Sequence, residues 1–300
     1  MGDDIPSHTP VLPERILEAF KATSIRTLVD CTVGLGGHAE LLLDQNPDLD
    51  LICMDVDARN LAIAEKRLEA HARRSRFIQA NFADLATVLA DLGIDRIDGI
   101  LADLGVSSNQ LADPDRGLSF AVDGPLDMRF DPRLSTTAAD LVNTLGEGEL
   151  SELLYLQSQE RHSRRIARRI CQVRRQGRIN STVLLARIVS AATGRHPDSR
   201  RNRIHPATRT FMALRMAVNR ETDALRRLLT AAPEVLRANG RLAVISFHSV
   251  EDRAVKDDFR ARSREGVYRI LTKKPLVAED SERAGNPRSR SAKLRIAERL

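Results

Sequence analysis

Apolar and polar positions alternate along this chain at two different periods. Short apolar runs recur at Thr27–Val33, Leu51–Asp55, Arg76–Ala80, Ile97–Leu104 and Arg241–Phe247, each about the length of a buried strand. Between them, Leu61–Ala70 and Leu85–Leu92 repeat apolar residues at helical spacing. Strand and helix in alternation predict a parallel sheet with helices on both faces. The rhythm breaks after the fourth run. Roughly residues 113–205 hold turn-rich sequence (Asp113-Pro114, Asp123-Gly124-Pro125, Asp131-Pro132), then polar and basic helices with no buried-strand pattern. One long helix is expected from about Pro206 to Leu236, after which the strand pattern resumes. At the end, Val267–Thr272 and Ala292–Arg299 alternate apolar with polar residues, as a half-exposed antiparallel pair does. Lys273–Ser291, rich in charge, Pro and Ser, reads as a mobile loop between them. The pattern therefore divides the chain into a sheet domain, 1–112 and 206–300, interrupted by a mostly helical insert, 113–205.

In an open parallel sheet, ligands collect at the carboxyl ends of the strands. The first such end is T-L-V-D-C-T-V-G-L-G-G-H (Thr27–His38), an apolar run emptying into three glycines. Gly34 lets the backbone reverse, and Gly36 and Gly37 leave no side chain between backbone amides and a ligand. Those amides open a helix, and the positive end of a helix suits an anionic group. The second end is Asp55, 21 residues after Gly34, where an acidic side chain takes ribose hydroxyls in nucleotide-type α/β sites. The third is Asn81-Phe82, whose aromatic ring can lie against a flat base. The fourth is Asp103 to Gln110, and the fifth is Ser246-Phe247-His248-Ser249. Taken singly, each has a packing explanation: Phe82 as core, Asp103 as a helix cap, His248 as a capping histidine ahead of Glu251 and Asp252. Five consecutive strand ends of this kind are hard to explain by packing. Asp103 is the sharpest of them. A carboxylate beside a cationic sulfonium, or accepting from an exocyclic amine, fits methyl transfer to nitrogen, where positioning is a large part of catalysis.

Composition narrows the picture. The chain has 300 residues, 42% hydrophobic and 29% charged, which is ordinary for a soluble protein with a real core. No run of about 18 apolar residues exists to span a membrane, and M-G-D-D-I-P-S lacks the basic and apolar regions of a signal peptide. Cys31, Cys53 and Cys171 have no metal or redox spacing, so no metal is expected. Cys31 and Cys53 fall inside strand runs, where a reduced thiol packs as a small hydrophobe, and a reducing cytoplasm is the expected compartment. The net charge of +6 is unevenly placed. Glu160–Arg178 carries eight arginines against one glutamate, and Arg195–Arg209 five against one aspartate, so the rest of the chain stands at −5. On a helical wheel Arg161, Arg164, Arg165, Arg168 and Arg175 share about 100° of arc, opposite Ile166, Ile170 and Val173. A solvated helix face is the plain reading. Arginine this dense without balancing acid favours a polyanion, nucleic acid before a membrane surface.

Several blocks resemble one known family: H-T-P-V-L (His8–Leu12), D-x-T-x-G-x-G-G-H (Asp30–His38), D-G-I-L-A-D-L-G-V-S-S-N-Q-L (Asp98–Leu111), R-G-L-S-F (Arg116–Phe120), G-P-L-D-M-R (Gly124–Arg129), H-P-A-T-R-T-F (His205–Phe211), I-S-F-H-S-V-E-D-R (Ile245–Arg253) and P-R-S-R-S-A-K-L-R (Pro287–Arg295). Together they are similar to the bacterial small-subunit ribosomal RNA cytosine-N4 methyltransferases, over nearly the whole chain. The resemblance implies a class I Rossmann-like methyltransferase sheet, mostly parallel with an antiparallel C-terminal hairpin, and an inserted helical domain that helps recognise RNA. It implies S-adenosylmethionine as methyl donor and, as substrate, a cytidine of the decoding centre in 16S ribosomal RNA, free or within the small subunit. Carried over by position, Gly36, Gly37 and His38 look like the loop holding the methionine end of the cofactor, Asp55 the ribose ligand and Phe82 the adenine neighbour. Asp103 and Gln110 look like the remaining cofactor contacts. That places Asp103 on the cofactor ahead of the target amine. Many amino-methyltransferases follow the fourth strand with two prolines and an aromatic ring, whereas this chain has Asp103-Leu104-Gly105-Val106. Stacking on the base must come from elsewhere, with Phe247, His248 and Phe120 as candidates. His248 is the candidate catalytic residue, and Arg161, Arg164, Arg165 and Arg168 are the candidate RNA contacts.

Two other classes share parts of the pattern. A non-catalytic RNA-binding or ribosome-assembly factor with a relict pocket would share the basic insert. An NAD-dependent oxidoreductase would share the glycine turn and Asp55, but needs a second nucleotide-binding half that the insert and terminal hairpin replace. Monomer and homodimer are both compatible with the sequence.

Overall fold

The computed structural model describes residues 9–21, 25–194 and 205–300. His8 of the H-T-P-V-L block, the acidic start of the chain and most of the second arginine-rich stretch lie outside the described residues. In chain order the first elements are α1 (Pro13–Lys21), β1 (Thr27–Asp30), α2 (Gly37–Gln45), β2 (Asp50–Asp55), α3 (Ala58–Arg67), β3 (Ser75–Gln79), α4 (Leu85–Asp91) and β4 (Ile97–Asp103). Six helices follow: α5 (Ser108–Ala112), α6 (Ala138–Thr144), α7 (Glu147–Ser158), α8 (Ser163–Val173), α9 (Thr182–Thr193) and α10 (Thr208–Val218). The chain closes with α11 (Glu221–Val235), β5 (Leu236–Ser246), α12 (Ser249–Arg264), β6 (Tyr268–Ile270), α13 (Asp280–Gly285) and β7 (Lys293–Arg299).

Two compact units result, Met1–Gly105 with Asp223–Leu300, and Val106–Thr222. The helical unit thus takes in 106–112 and 206–222 beyond the span of 113–205 expected from the sequence. The first unit holds one seven-stranded sheet in the order β3-β2-β1-β4-β5-β7-β6. The first five strands run parallel, while β7 pairs antiparallel with both β5 and β6. The central strands β1, β2 and β4 are buried on both faces, which is why their runs are continuously apolar, whereas the edge strand β3 has no buried residue. Leu28, Leu51, Cys53, Leu101 and Ile245 face one apolar layer with residues of α1, α2 and α3. Val29, Ile52, Met54, Ile100 and Val244 face the other, with α4, α11 and α12. The two buried cysteines belong to these layers, and burial pushes both thiols well up. Because β1 and β4 are neighbours, the strand order reverses between them, and a ligand cleft opens at such a reversal.

Two expectations are corrected. The stretch from 206 to 236 is two helices rather than one, since Arg220 takes a left-handed φ of 50° between α10 and α11. The break is held by Asn219, whose Oδ1 accepts from Phe130 N–H at 2.8 Å and whose Nδ2 donates to Met128 C=O at 2.8 Å. A buried amide that satisfies two backbone groups of a distant loop outweighs helix continuation. The segment 273–291 is not a free loop either. It contains α13 and a short 3₁₀ turn, Pro287–Ser291. Glu282 Oε1 accepts from Leu12 N–H at 2.7 Å, and Asn286 Nδ2 donates to Thr9 C=O at 3.1 Å. Ala278 and Ser289 are buried beneath it.

Replacing Asn219 by alanine strands two buried backbone groups, Phe130 N–H and Met128 C=O. A loss on the order of 2–4 kcal/mol is expected in urea unfolding, with amide exchange at Phe130 rising ahead of global unfolding.

Candidate functional site

Three carboxylic acids end three neighbouring strands of the first unit: Asp30 on β1, Asp55 on β2 and Asp103 on β4. Asp30 is buried; its Oδ1 accepts from Thr32 N–H at 3.1 Å. Thr32 Oγ1 in turn accepts from Asp103 N–H at 2.6 Å, so β1 and β4 are stitched at their carboxyl ends. Asp55 accepts three times: from Gly34 N–H (3.0 Å), Asp57 N–H (2.8 Å) and Asn60 Nδ2 (3.3 Å). The residue expected to meet a ribose therefore also fixes the glycine turn. Desolvation is the largest influence on all three acids and pushes each upward, Asp30 to about 8 and Asp55 to about 6. For Asp30 the neighbouring charges of Asp103 and Asp55 add to it, against the hydrogen bond from Thr32. For Asp103, His38 and Arg288 oppose the rise.

The turn after β1 is built as the sequence suggests, with one added reason. Gly34 and Gly36 have φ of 53° and 83°. A Cβ on Gly36 would meet Ala64 Cα, Ala64 Cβ and Arg67 Cδ, each at 3.4 Å, so this glycine also serves close packing of α2 on α3. The first helical bond of α2 runs from Glu40 N–H to Gly36 C=O, leaving the amides of Gly37, His38 and Ala39 ahead of any intrahelical acceptor. The His38 ring is buried. Its Nε2 lies 2.7 Å from Val11 C=O, which can only accept, so Nε2 carries the proton and Nδ1 faces Asp103 Oδ2 at 3.7 Å. Asp103 Oδ1 is buried and has no hydrogen-bond partner among the described residues. Phe82 follows β3 in a short 3₁₀ turn and is half-buried against the apolar layer of α4.

At the fifth strand end, Phe247 is half-buried, and its ring lies 3.5 Å from where a Cβ on Gly105 would stand. An aromatic ring is thus placed beside the fourth-strand turn, although it comes from the fifth strand. His248 is the N-cap of α12; its Nδ1 accepts from Glu251 N–H, and its Nε2 lies 3.0 Å from Glu251 Oε1. Glu251 Oε2 also accepts from Phe247 N–H at 3.0 Å. His248 Nδ1 is therefore turned to the cap, the structural role that the following Glu251 and Asp252 suggested, while its buried Nε2 makes no hydrogen bond among the described residues.

Other candidates belong to the second unit. Gln110 is buried, and its Oε1 accepts from Ser107 N–H at 3.0 Å in the capping box of α5. Phe120 stacks on His205 with ring centroids 4.5 Å apart and meets Phe211 edge-on at 4.8 Å. On α8, Ser163, Ile166, Ala167 and Ile170 are buried, while Arg164, Arg165, Arg168 and Arg169 are exposed; Arg161 and Arg175, expected on the same helical wheel, are exposed just outside the helix, which begins at Ser163 and ends at Val173. Arg174 is structural, donating to Val142 C=O and Leu145 C=O, and Arg178 pairs with Asp140. Arg168 Nε lies 3.4 Å from Glu147. Arg161, Arg164, Arg165, Arg169 and Arg175 form no ion pair among the described residues.

Sequence reasoning missed the part played by Asp30, although it closes the run T-L-V-D. An aspartate ending a wholly apolar strand was the available signal.

A mostly parallel 3-2-1-4-5-7-6 sheet with acids at the switch point defines a class I methyltransferase, and the comparisons agree. The chain belongs to the MraW methylase family, whose profile matches residues 6–300. It is 47% identical to a Cyanothece protein named ribosomal RNA small subunit methyltransferase H, over 98% of this chain and 95% of that one. A Sorangium cellulosum protein of the same name is also 47% identical, over 98% and 91%, and a Geobacter sulfurreducens one 46%, over 98% and 99%. S-adenosylmethionine is the cofactor of this class. The acids fit it. A site with one buried and two half-buried carboxyls and one orphaned oxygen suits a ligand bearing a sulfonium, an ammonium and ribose hydroxyls.

The raised acids make the ligand-free protein sensitive to pH. The unfolded chain releases these protons near pH 4, while the fold holds them to about pH 6 at Asp55 and about pH 8 at Asp30. Stability from these groups is therefore greatest at low pH and falls as pH rises from 4 to 8, with the full cost present above 8. Asp30→Asn is expected to flatten that fall in melting temperature measured without cofactor.

Proposed function

We propose that this chain transfers the methyl group of S-adenosylmethionine to the exocyclic N4 of a cytidine in the decoding centre of 16S ribosomal RNA. The observation that carries the chemistry is the Asp103 carboxyl, half-buried at the switch point with one oxygen unpartnered among the described residues. The substrate reading is supported by full-length relatives named ribosomal RNA small subunit methyltransferase H. Cytidine and N4 are supported by the motif blocks from His8 to Arg295.

When bound, the cofactor supplies a methyl carbon made electrophilic by a sulfonium. Gly37 and His38 offer the first-turn amides of α2 to its carboxylate end, with Gly36 setting their direction. Asp55 takes the ribose hydroxyls while holding the Gly34 turn. Phe82 lies against the adenine, and Asp103 and Gln110 complete the cofactor contacts. The amine of cytosine is a weak nucleophile because its lone pair is delocalised into the ring. It becomes acidic only as it gains the methyl group, so fixed orientation matters more than a strong base. Phe247, held through its N–H by Glu251, supplies a ring for the base beside Gly105. His248 contributes by keeping that cap in place. The exposed arginines Arg161, Arg164 and Arg165, with Arg168, grip RNA phosphates. Among the described residues no helix is long and apolar enough to cross a membrane, and the compartment proposed is the cytoplasm, where the RNA is.

Single-turnover incubation with labelled cofactor and small subunits from cells lacking this protein tests the reading. One methyl per subunit on N4 of a single decoding-centre cytidine is expected, located by nuclease digestion and mass spectrometry. His248→Ala should slow that turnover at saturating cofactor without weakening cofactor binding. Label on another base or atom, or no transfer at all, contradicts the proposal.

A further inference from the structure

The strand order brings a late segment of the chain to the ligand end of the first unit's sheet. β7 runs antiparallel to β5, so it begins where the parallel strands finish. Lys293 pairs with Ser246, and Ile245 stands between Asp103 on β4 and Leu294 on β7. Two strand spacings, about 10 Å, separate Asp103 from Leu294. The turn Pro287–Ser291 leads into that edge, and its backbone is pinned. Asn286 Oδ1 accepts from Arg288 N–H at 3.3 Å, and the buried Ser289 hydroxyl donates to Asn286 C=O at 2.8 Å. Asn286 Nδ2 donates to Thr9 C=O at 3.1 Å, two residues from Val11, whose C=O accepts from the His38 ring that faces Asp103. Among the cations of this segment, Arg295 and Lys293 hold Asp252 at 2.7 and 3.3 Å, and Arg290 is exposed. Arg288 is half-buried and acts on Asp103. The charged and titratable groups that bear on that carboxyl among the described residues come from four elements: Asp30 ending β1, His38 on α2, Glu251 on α12 and Arg288 ahead of β7. Burial pushes the Asp103 carboxyl up and Glu251 adds to the rise, whereas His38 and Arg288 oppose it.

We infer that Arg288 is a positioning residue of the cofactor site, acting through Asp103: from the turn ahead of β7 its guanidinium keeps that carboxyl in the charged form that meets the cofactor's cationic end. The inference rests on the reading of Asp103 as a cofactor contact, and it adds the cation that prepares the contact. A carboxyl drawn out of water binds a proton and a cationic ligand in competition, since either relieves the same charge. A guanidinium fixed nearby displaces the proton. Its cost is repulsion of the cofactor's own cation, which is the same at every pH. Its gain is confined to the pH range in which the carboxyl would otherwise hold its proton. The two effects therefore separate with pH.

Calorimetric titration of the full-length protein with S-adenosylmethionine from pH 5 to 9 reads them apart. For Arg288→Gln, the ratio of variant to native affinity should rise about tenfold from the acid to the alkaline end, as expected for the loss of one neighbouring opposite charge. Taking the ratio cancels any titration of the cofactor itself. The same variant should release more protons on binding near neutral pH, because its free carboxyl holds its proton longer. Arg288→Lys, which keeps the charge, should follow the native curve throughout. A ratio for Arg288→Gln that is constant across the range would mean that Arg288 supports only the shape of the site, and overturns the inference. A Lys variant that departs from the native curve overturns it too, and decides the matter alone if the Gln variant does not fold. Asp103→Asn tests the reading beneath. If that variant keeps the native pH dependence in full, Asp103 is not the contact and both readings fall. If it loses part of that dependence while Arg288→Gln tracks the native curve, the contact stands and the role of Arg288 alone is wrong.

Discussion

The structure of the first unit turns on the burial of carboxylic acids where parallel strands end. Asp30 is buried and Asp55 and Asp103 are half-buried; backbone N–H groups hold the first two carboxyls, while that of Asp103 faces His38. Withdrawing acids from water is unfavourable unless something offsets it. Part of the offset is structural: Asp55 fixes the Gly34 turn, and Asp30 acts through Thr32 on Asp103. The remainder is left for a cationic ligand. Stability and function are coupled at this point, because the groups that make the free fold costly are those that a sulfonium and an ammonium would satisfy.

The same economy explains the segments that enclose this end of the sheet. Val11 accepts from His38, and Leu12 holds a left-handed φ of 54° while its N–H is fixed by Glu282. Asn286 secures Thr9 from the other side. Residues from the two ends of the chain thus brace one another around His38 and, through it, Asp103. The segment 279–291, charged and rich in Ser, is ordered because its side chains serve as caps and clamps.

Much of this was legible in the sequence. The strands and the glycine turn follow from apolar period and turn residues: burial on both faces writes the runs of the central strands, while β7, read as half-exposed from its alternation, is buried along its middle. Asp55 and Asp103 were legible as strand ends, and Asp30 was not. What the sequence hid were tertiary hydrogen bonds. Asn219 breaks an otherwise continuous helix for the sake of the loop at Met128 and Phe130, and no local pattern announces a partner about 90 residues away. Gly36 reads as ligand access, and its packing against Ala64 is not visible in the sequence. His248 reads equally as catalyst or cap, and the Glu251 N–H on its Nδ1 shows the cap.

The central claim is that cofactor binding discharges the strain of buried acids. Calorimetric titration of the full-length protein with S-adenosylmethionine, repeated in buffers of differing ionisation enthalpy between pH 6 and 8, reads the protons exchanged. The account predicts net proton release on binding, reduced in Asp30→Asn, together with affinity that rises with pH over that range. Binding with no proton exchange and no dependence on pH would contradict it.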